Sequence, residues 1–334
     1  MFKKFAAVFL ALTLSFLLVI PASAATGTAN GSYGAYKHVV IIGVDGAGTY
    51  FEKVDTPNFD RIFANSAVRY NARTELITVS AQNWGAMLTG VSCFNHGFTN
   101  DSLAKYERTS NTEYPSIFTI VHKVMPEAKL ASVCNWSPIN YGIIEKDIGV
   151  NKINPGDDAA VADALCGYFN GGNKPMLLFV QFDSVDEAGH EYGRESQQYA
   201  DQIKTVDGYI GRVYDCMNSN GMLEDTLFIV VADHGHKAEG GHGGLSYDEA
   251  HVMLAVSGKT VIPNADMTFT TRNRDVAAIA LYALGIAQPS YMTAVVPGNL
   301  FTGVNATMRP AGDGIFVFLY KLAVYGVNAL ISLF

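Results

Sequence analysis

The sequence predicts an α/β fold: a mostly parallel central sheet with helices on both faces. Two observations predict it. Short apolar runs rich in β-branched residues recur along the chain, and stretches of helical length lie between them. Residues 38–44 (HVVIIGV) are continuously apolar after the first position, as a strand buried on both faces should be. Residues 176–182 (MLLFVQF) and 226–232 (TLFIVVA) read the same way, and 129–134 (KLASVC) and 251–256 (HVMLAV) give a fourth and fifth strand. Helices are predicted over 58–66, 81–89, 116–124, 159–169, 196–219 and 275–284. Alternation at this spacing calls for parallel strands joined by crossover helices.

The ends of the chain read differently. Lys3 and Lys4, an apolar run over 5–20, Pro21 and the small triplet Ala22-Ser23-Ala24 have the layout of a secretory signal peptide cut after Ala24. The mature protein is therefore expected to be secreted or extracytoplasmic. Residues 25–36 read as an N-terminal linker, 37–302 as one catalytic-size domain, and 303–334 as a linker followed by an apolar helix. Residues 314–334 are interrupted mainly by Lys321, Asn328 and Ser332. As a helix this stretch would measure roughly 31 Å, about one bilayer core, although Lys321 near its middle would be costly there. Membrane association through 314–334 and a final helix packed on the domain both fit.

The net charge of −8 and the lack of a basic cluster argue against a nucleic-acid partner. Cys93, Cys134, Cys166 and Cys216 are widely spaced with no CxxC, which argues against a thiolate zinc site. An exported protein can form disulfides, but the spacing does not say which.

In a sheet of this class, ligands bind outside the carboxyl ends of the strands. Asp45 follows the first strand, Asp183 and Asp186 follow 176–182, and Asp233 and His234 follow 226–232. Asp186 and His190 would share a face of a helical turn, and His242 sits in a GGHGG segment whose glycines permit close backbone approach. Asp45, Asp186, His190, Asp233, His234 and His242, six carboxylates and imidazoles without thiolates, suit a catalytic site for zinc or manganese, and they are numerous enough for two ions. Each also has a plainer reading: a turn aspartate, a surface pair, a mobile loop.

Ser80 stands where the 81–89 helix begins, as a natural N-cap, with Gly90 as the stop. A helix N-terminus with its unpaired N–H groups suits a phosphate. Thr78, in the same loop, is a competing hydroxyl nucleophile.

Together these motifs resemble the alkaline phosphatase superfamily, especially its type I phosphodiesterase/nucleotide pyrophosphatase branch, over residues 37–302. Val44-Asp45-Gly46 and Thr56-Pro57-Asn58-Phe59-Asp60 are similar to the family's opening ligand and the helix after it. The family's nucleophile stands nine residues before a Thr-Gly pair, as Ser80 does before Thr89-Gly90. Asp186-x-x-x-His190-x-x-Gly193 and Asp233-His234-Gly235 resemble two further ligand motifs. His242-Gly243-Gly244 resembles the final ligand of the superfamily's ethanolamine-phosphate transferases, closer in sequence than phosphodiesterases often place it. His96-Gly97 matches a structural pair.

The resemblance implies an alkaline phosphatase-like sheet without a large cap domain and two divalent ions, zinc or manganese. It implies that Asp45, Ser80, Asp233 and His234 hold one ion, and Asp186, His190 and His242 the other. It makes Ser80 the nucleophile of a phosphoserine route, with the Ala81 N–H and Asn83 on the phosphoryl oxygens. The substrate would be a phosphorylated small molecule or lipid head group, with segments 98–114 and 137–158 facing it. The expected activity is hydrolysis of phosphomonoesters or phosphodiesters. A phosphoethanolamine-type transferase and a non-catalytic metal- or phosphate-binding module are the alternatives. A sulfatase is disfavoured because no Cys or Ser begins a C/S-x-P-x-R pattern.

Overall fold

A computed structural model describes residues 31–267 and 270–303. The expected signal peptide over 1–24 and the apolar tail over 314–334 lie outside the described residues. Among the described residues, seven strands form one sheet in the order β2-β7-β6-β1-β5-β3-β4. They are β1 (His38–Val44), β2 (Ala67–Arg73), β3 (Leu130–Cys134), β4 (Asn151–Ile153), β5 (Leu177–Phe182), β6 (Thr226–Ala232) and β7 (His251–Ser257). The α-helices beside them are α1 (Pro57–Phe63), α2 (Ser80–Thr89), α3 (Cys93–His96), α4 (Asn100–Lys105), α5 (Ile117–Val124), α6 (Asp158–Asn170), α7 (Ser184–Tyr192), α8 (Gln197–Ser219), α9 (Tyr247–Ala250) and α10 (Asp275–Ala283).

The apolar runs are central strands. β5 and β6 are buried at every position and β1 at all but the first. At about 1.5–3 kcal/mol for each large apolar side chain buried, these three strands are a major part of the driving force for folding. Each pairs in parallel, with Val44 opposite Phe182 on one side and Ala232 on the other. The three strands therefore end level, and the residues after them emerge side by side.

The strand over 251–256, expected within a mostly parallel sheet, is β7, and it runs antiparallel to both β6 and β2. The segment between β6 and β7 contains only the four-residue α9 and no crossover helix of the kind that usually carries a chain back into parallel register. Among the described residues no cap domain stands over the sheet, and no helix is long and apolar enough to cross a membrane.

Residues 31–36, within the expected linker, pack on the domain. Gly34 N–H donates to Tyr282 O, Tyr36 N–H to Ala283 O, and the Ser32 hydroxyl to Thr302 O. Cys166 and Cys216 form a disulfide between α6 and α8, while Cys93 and Cys134 are free and buried. Asp207 on α8 caps α1 from outside, accepting from the backbone N–H of Asn58 and Phe59.

Candidate active site

The level ends of β1, β5 and β6 bring the predicted residues to one rim. Asp45 directly follows β1 and Asp233 follows β6. Asp186 and His190 project from α7, one helical turn apart, and His242 comes from the loop before α9. His234 Nε2 lies 3.2 Å from Asp233 Oδ2, 3.5 Å from Asp45 Oδ1 and 3.2 Å from Ser80 Oγ. His190 Nε2 lies 3.4 Å from Asp186 Oδ2 and 3.0 Å from His242 Nε2. Asp45, Asp233 and His234 thus form one potential ligand group, Asp186, His190 and His242 another, and Asp186, His234 and His236 a third that overlaps both.

The electrostatics fit cations. Asp45 is 1% exposed and Asp233 fully buried, and Asp45 Oδ1 and Asp233 Oδ2 have no hydrogen-bond partner. Burial, then the Asp233 and Asp186 charges, pushes Asp45 well above the usual carboxylate range. Burial does the same to Asp233 despite the N–H groups of Gly46 and His234 on its Oδ1. Burial also pushes Asp186 up, but hydrogen bonds from His190 and His236 outweigh it and hold the carboxyl well below its ordinary range. Burial, with His242 adding to it, drives His234 far down, which favours the neutral imidazole that a metal ligand requires. Buried carboxylates facing one another with open lone pairs are stable together only when protonated or when positive charge is supplied. The donor set of carboxylates, imidazoles and a hydroxyl fits divalent zinc or manganese.

The loop that carries Ser80 corrects two expectations. Val79, not Ser80, is the N-cap of α2, and Ser80 is the first helical residue. Its hydroxyl makes no capping bond and turns to His234 instead. Asn83 does not face the site. It is fully buried, its Oδ1 accepts from Glu75 N–H and Asn273 Nδ2, and its Nδ2 donates to Ile77 O and Val79 O. Since Asn273 Nδ2 also donates to Asp233 O, Asn83 ties the nucleophile loop to the end of β6. The Ala81 N–H, at the start of α2, is met by Asn100 Oδ1 at 3.0 Å.

Thr78 is committed elsewhere. Its buried hydroxyl donates to Gly244 O and accepts from Gly243 N–H, and its carbonyl accepts from His242 Nδ1 at 2.6 Å. That last bond leaves His242 Nε2 toward Asp186 and His190. Gly243, at φ +107°, makes the turn beside His242 in a region that favours glycine. Glu249 accepts from Gly244 N–H and anchors the far side of the same loop.

Two site residues are not evident in the sequence. Asn100, exposed on α4, reaches the start of α2 across nineteen positions; its only local signal is its place after His96-Gly97. His236, fully buried, sets Nε2 2.8 Å from Asp186 Oδ1; its nearness to Asp233-His234 is the available hint. The segments expected to face substrate pack on one another, with Arg108 N–H on Tyr141 O and the Arg108 guanidinium over the Phe98 ring.

Comparisons with known proteins identify the family. A family model described as type I phosphodiesterase/nucleotide pyrophosphatase matches residues 39–283. Ectonucleotide pyrophosphatase/phosphodiesterase family member 7 of Rattus norvegicus is 23% identical over 67% of this chain and 55% of its own length. The catalytic subunit of GPI ethanolamine phosphate transferase 3 of Mus musculus is 27% identical over 54% of this chain. The match spans only 17% of that transferase. Murine ectonucleotide pyrophosphatase/phosphodiesterase 5, solved in an inactive form with AMP, superposes with a TM-score of 0.60 at 14% identity, covering 76% of this chain and 96% of that one. A 2-O GAG sulfatase superposes at 0.65 and 12% identity, covering 82% and 76%. These structural likenesses concern the fold. The family match covers most of the chain, and with the motifs gathered at the strand ends it places this chain in the type I phosphodiesterase/nucleotide pyrophosphatase family.

Proposed function

We propose that the protein is an exported, metal-dependent hydrolase of phosphate esters that works through a phosphoserine on Ser80. The observation that carries the proposal is Ser80 Oγ at 3.2 Å from His234 Nε2, on the rim where the unpartnered oxygens of Asp45 and Asp233 lie. Asp45, Ser80, Asp233 and His234 would hold one divalent ion, and Asp186, His190 and His242 a second. Zinc is the first choice and manganese the other. Such a pair supplies Lewis acidity: it favours the alkoxide of a serine and offsets charge on attacking and leaving oxygens.

The chain's own residues account for the rest. Ser80 Oγ loses its proton and attacks phosphorus in line. The bond from phosphorus to the alcohol oxygen breaks, and the alcohol leaves with a proton. Water then attacks the phosphoserine, the bond from phosphorus to Ser80 Oγ breaks, and the hydroxyl is restored. A phosphoryl oxygen can replace Asn100 Oδ1 on the Ala81 N–H, and the exposed Asn100 amide can turn its Nδ2 toward the same oxygen. This gives two donors where negative charge must be held.

The mature protein should be assayed with zinc or manganese on nitrophenyl phosphate and on bis-nitrophenyl phosphate. Turnover on either, lost in Ser80→Ala, is the expected result; turnover that survives the substitution removes Ser80 from this role. A phosphoethanolamine-type transferase is the second reading, favoured by the GGHGG segment and the transferase relative. Labelled phosphatidylethanolamine separates the two: label released only to water supports hydrolysis, and label on an added acceptor alcohol supports transfer.

A further inference from the structure

His236 is a fully buried imidazole in the middle of the site; it lies outside the two ligand sets assigned above, although its ring nitrogen groups with Asp186 and His234 closely enough to be a ligand itself. Its Nε2 lies 2.8 Å from Asp186 Oδ1. A carboxylate has no proton to give, so this contact requires the proton on Nε2. Its Nδ1 has no hydrogen-bond partner among the described residues.

The surrounding backbone is shaped to this ring. A Cβ on Gly46 would lie 2.7 Å from His236 Nε2, and a Cβ on Gly189 would lie 2.5 Å from its Cδ2. Both are closer than real Cβ atoms come. Gly46 directly follows Asp45, and Gly189 directly precedes His190. Gly46 also sits at φ +66°, and its carbonyl accepts from the Tyr199 hydroxyl at 2.7 Å. The chain thus forgoes a side chain beside each of two metal-site residues, and the imidazole fills the space.

We infer that His236 is a positioning residue: its Nε2–H holds Asp186 Oδ1 and leaves Oδ2 directed at His190. Asp186 stands between the two ligand groups, with Oδ1 3.6 Å from His242 Nε2 and 4.0 Å from His234 Nε2. Without a donor on Oδ1, the carboxylate could rotate toward either group. With it, Asp186 is committed to the His190–His242 side, and the two sites stay distinct. This rests on the two-ion reading above. It adds a residue that decides which ion Asp186 serves.

The test is a zinc titration against a chromophoric chelator on the wild type, His236→Phe and His236→Gln, with the cobalt(II) absorption spectrum of each. The wild type is expected to bind two ions. His236→Phe should weaken one of them by about 10–100-fold, the range for loss of a group that orients a ligand. It should still bind two at saturation, with the shape of the cobalt bands unchanged. His236→Gln keeps an N–H within reach of Asp186 and should recover most of the affinity. Unaltered affinity in His236→Phe overturns the inference, and so do cobalt bands altered in both variants, which would make His236 a ligand itself. A wild type that binds no ion overturns the two-ion reading first, and is told apart by that result alone.

Discussion

Trp84 Nε1–H donates to Asp45 Oδ2 at 3.0 Å, from a ring packed against β1 where Gly43 leaves no side chain in the way. Gln181 Nε2 donates to the same oxygen. With Oδ2 accepting both bonds, only Oδ1 of Asp45 remains open to the site. Helix α2, which begins at Ser80, thus fixes the orientation of a carboxylate at the end of a strand.

Gly43→Ala tests that arrangement. The new Cβ would meet the Trp84 ring at 2.4 Å, and overpacking of this kind costs about 1–3 kcal/mol. Chemical denaturation should show a loss in that range. Activity should fall further than in Trp84→Phe, which removes the hydrogen bond but can keep most of the packing.

Thr78→Val keeps the shape at Thr78 and removes its hydroxyl. Gly243 N–H loses its acceptor and Gly244 O its donor, a cost of about 1–3 kcal/mol for groups left unsatisfied. The variant should melt earlier and turn over more slowly, yet still form the trapped phosphoserine. Abolition of the phospho-enzyme in Thr78→Val with retention in Ser80→Ala would exchange the roles of the two hydroxyls.

The disulfide closes a loop between residues 50 positions apart. In the chain-entropy account, its removal costs roughly 4 kcal/mol. Cys166→Ala with Cys216→Ala should lower the denaturation midpoint accordingly, with little change in kcat, because neither cysteine belongs to the rim of the sheet. An unchanged midpoint would show that the linkage does not contribute to stability.

His96 gives a pH dependence with a definite sign. Burial, opposed by the hydrogen bond to Gln82 O, pushes its pKa down to about 3, and its Nδ1 accepts from Phe98 N–H. The unfolded chain takes up this proton near pH ~6.5 and the folded chain does not. The contribution is therefore fully present above about pH 6.5 and is lost as the pH falls toward 3, with a slope of about 1.4 kcal/mol per pH unit at most. Comparing His96→Gln with the wild type from about pH 7 to about pH 4, inside that window, should show a shallower loss in the variant. Parallel curves would assign the acid sensitivity to other groups.

The legibility of each residue in the sequence depends on where its partners lie. β1, β5 and β6 are apolar without interruption because both faces are covered, and that pattern needs no tertiary knowledge. β2 (AVRYNAR) and β4 (NKI) lie at the two edges of the sheet, where half-exposed positions carry polar residues and the pattern fades. Among site residues, Asp45, Asp186 and Asp233 are visible because each lies at or just beyond the end of a recognisable strand. The buried bridging role of Asn83 and the place of His236 are hidden for one shared reason: the partners that define them, Asn273 and Asp186, lie 190 and 50 positions away. Ser80 departs from expectation only as a cap, since a serine at a helix start has two places to send its hydroxyl and local sequence does not choose between them.

The alignment of Val44 with Phe182 and Ala232 has a consequence for divergence. Three carboxyl-bearing segments leave the sheet from a platform held by main-chain ladders, so their spacing does not depend on which loops stand above. The connecting stretches around the rim could lengthen, shorten or exchange without moving the charges beneath them. Sequence changes are then free to accumulate in those stretches while the carboxylates stay in place.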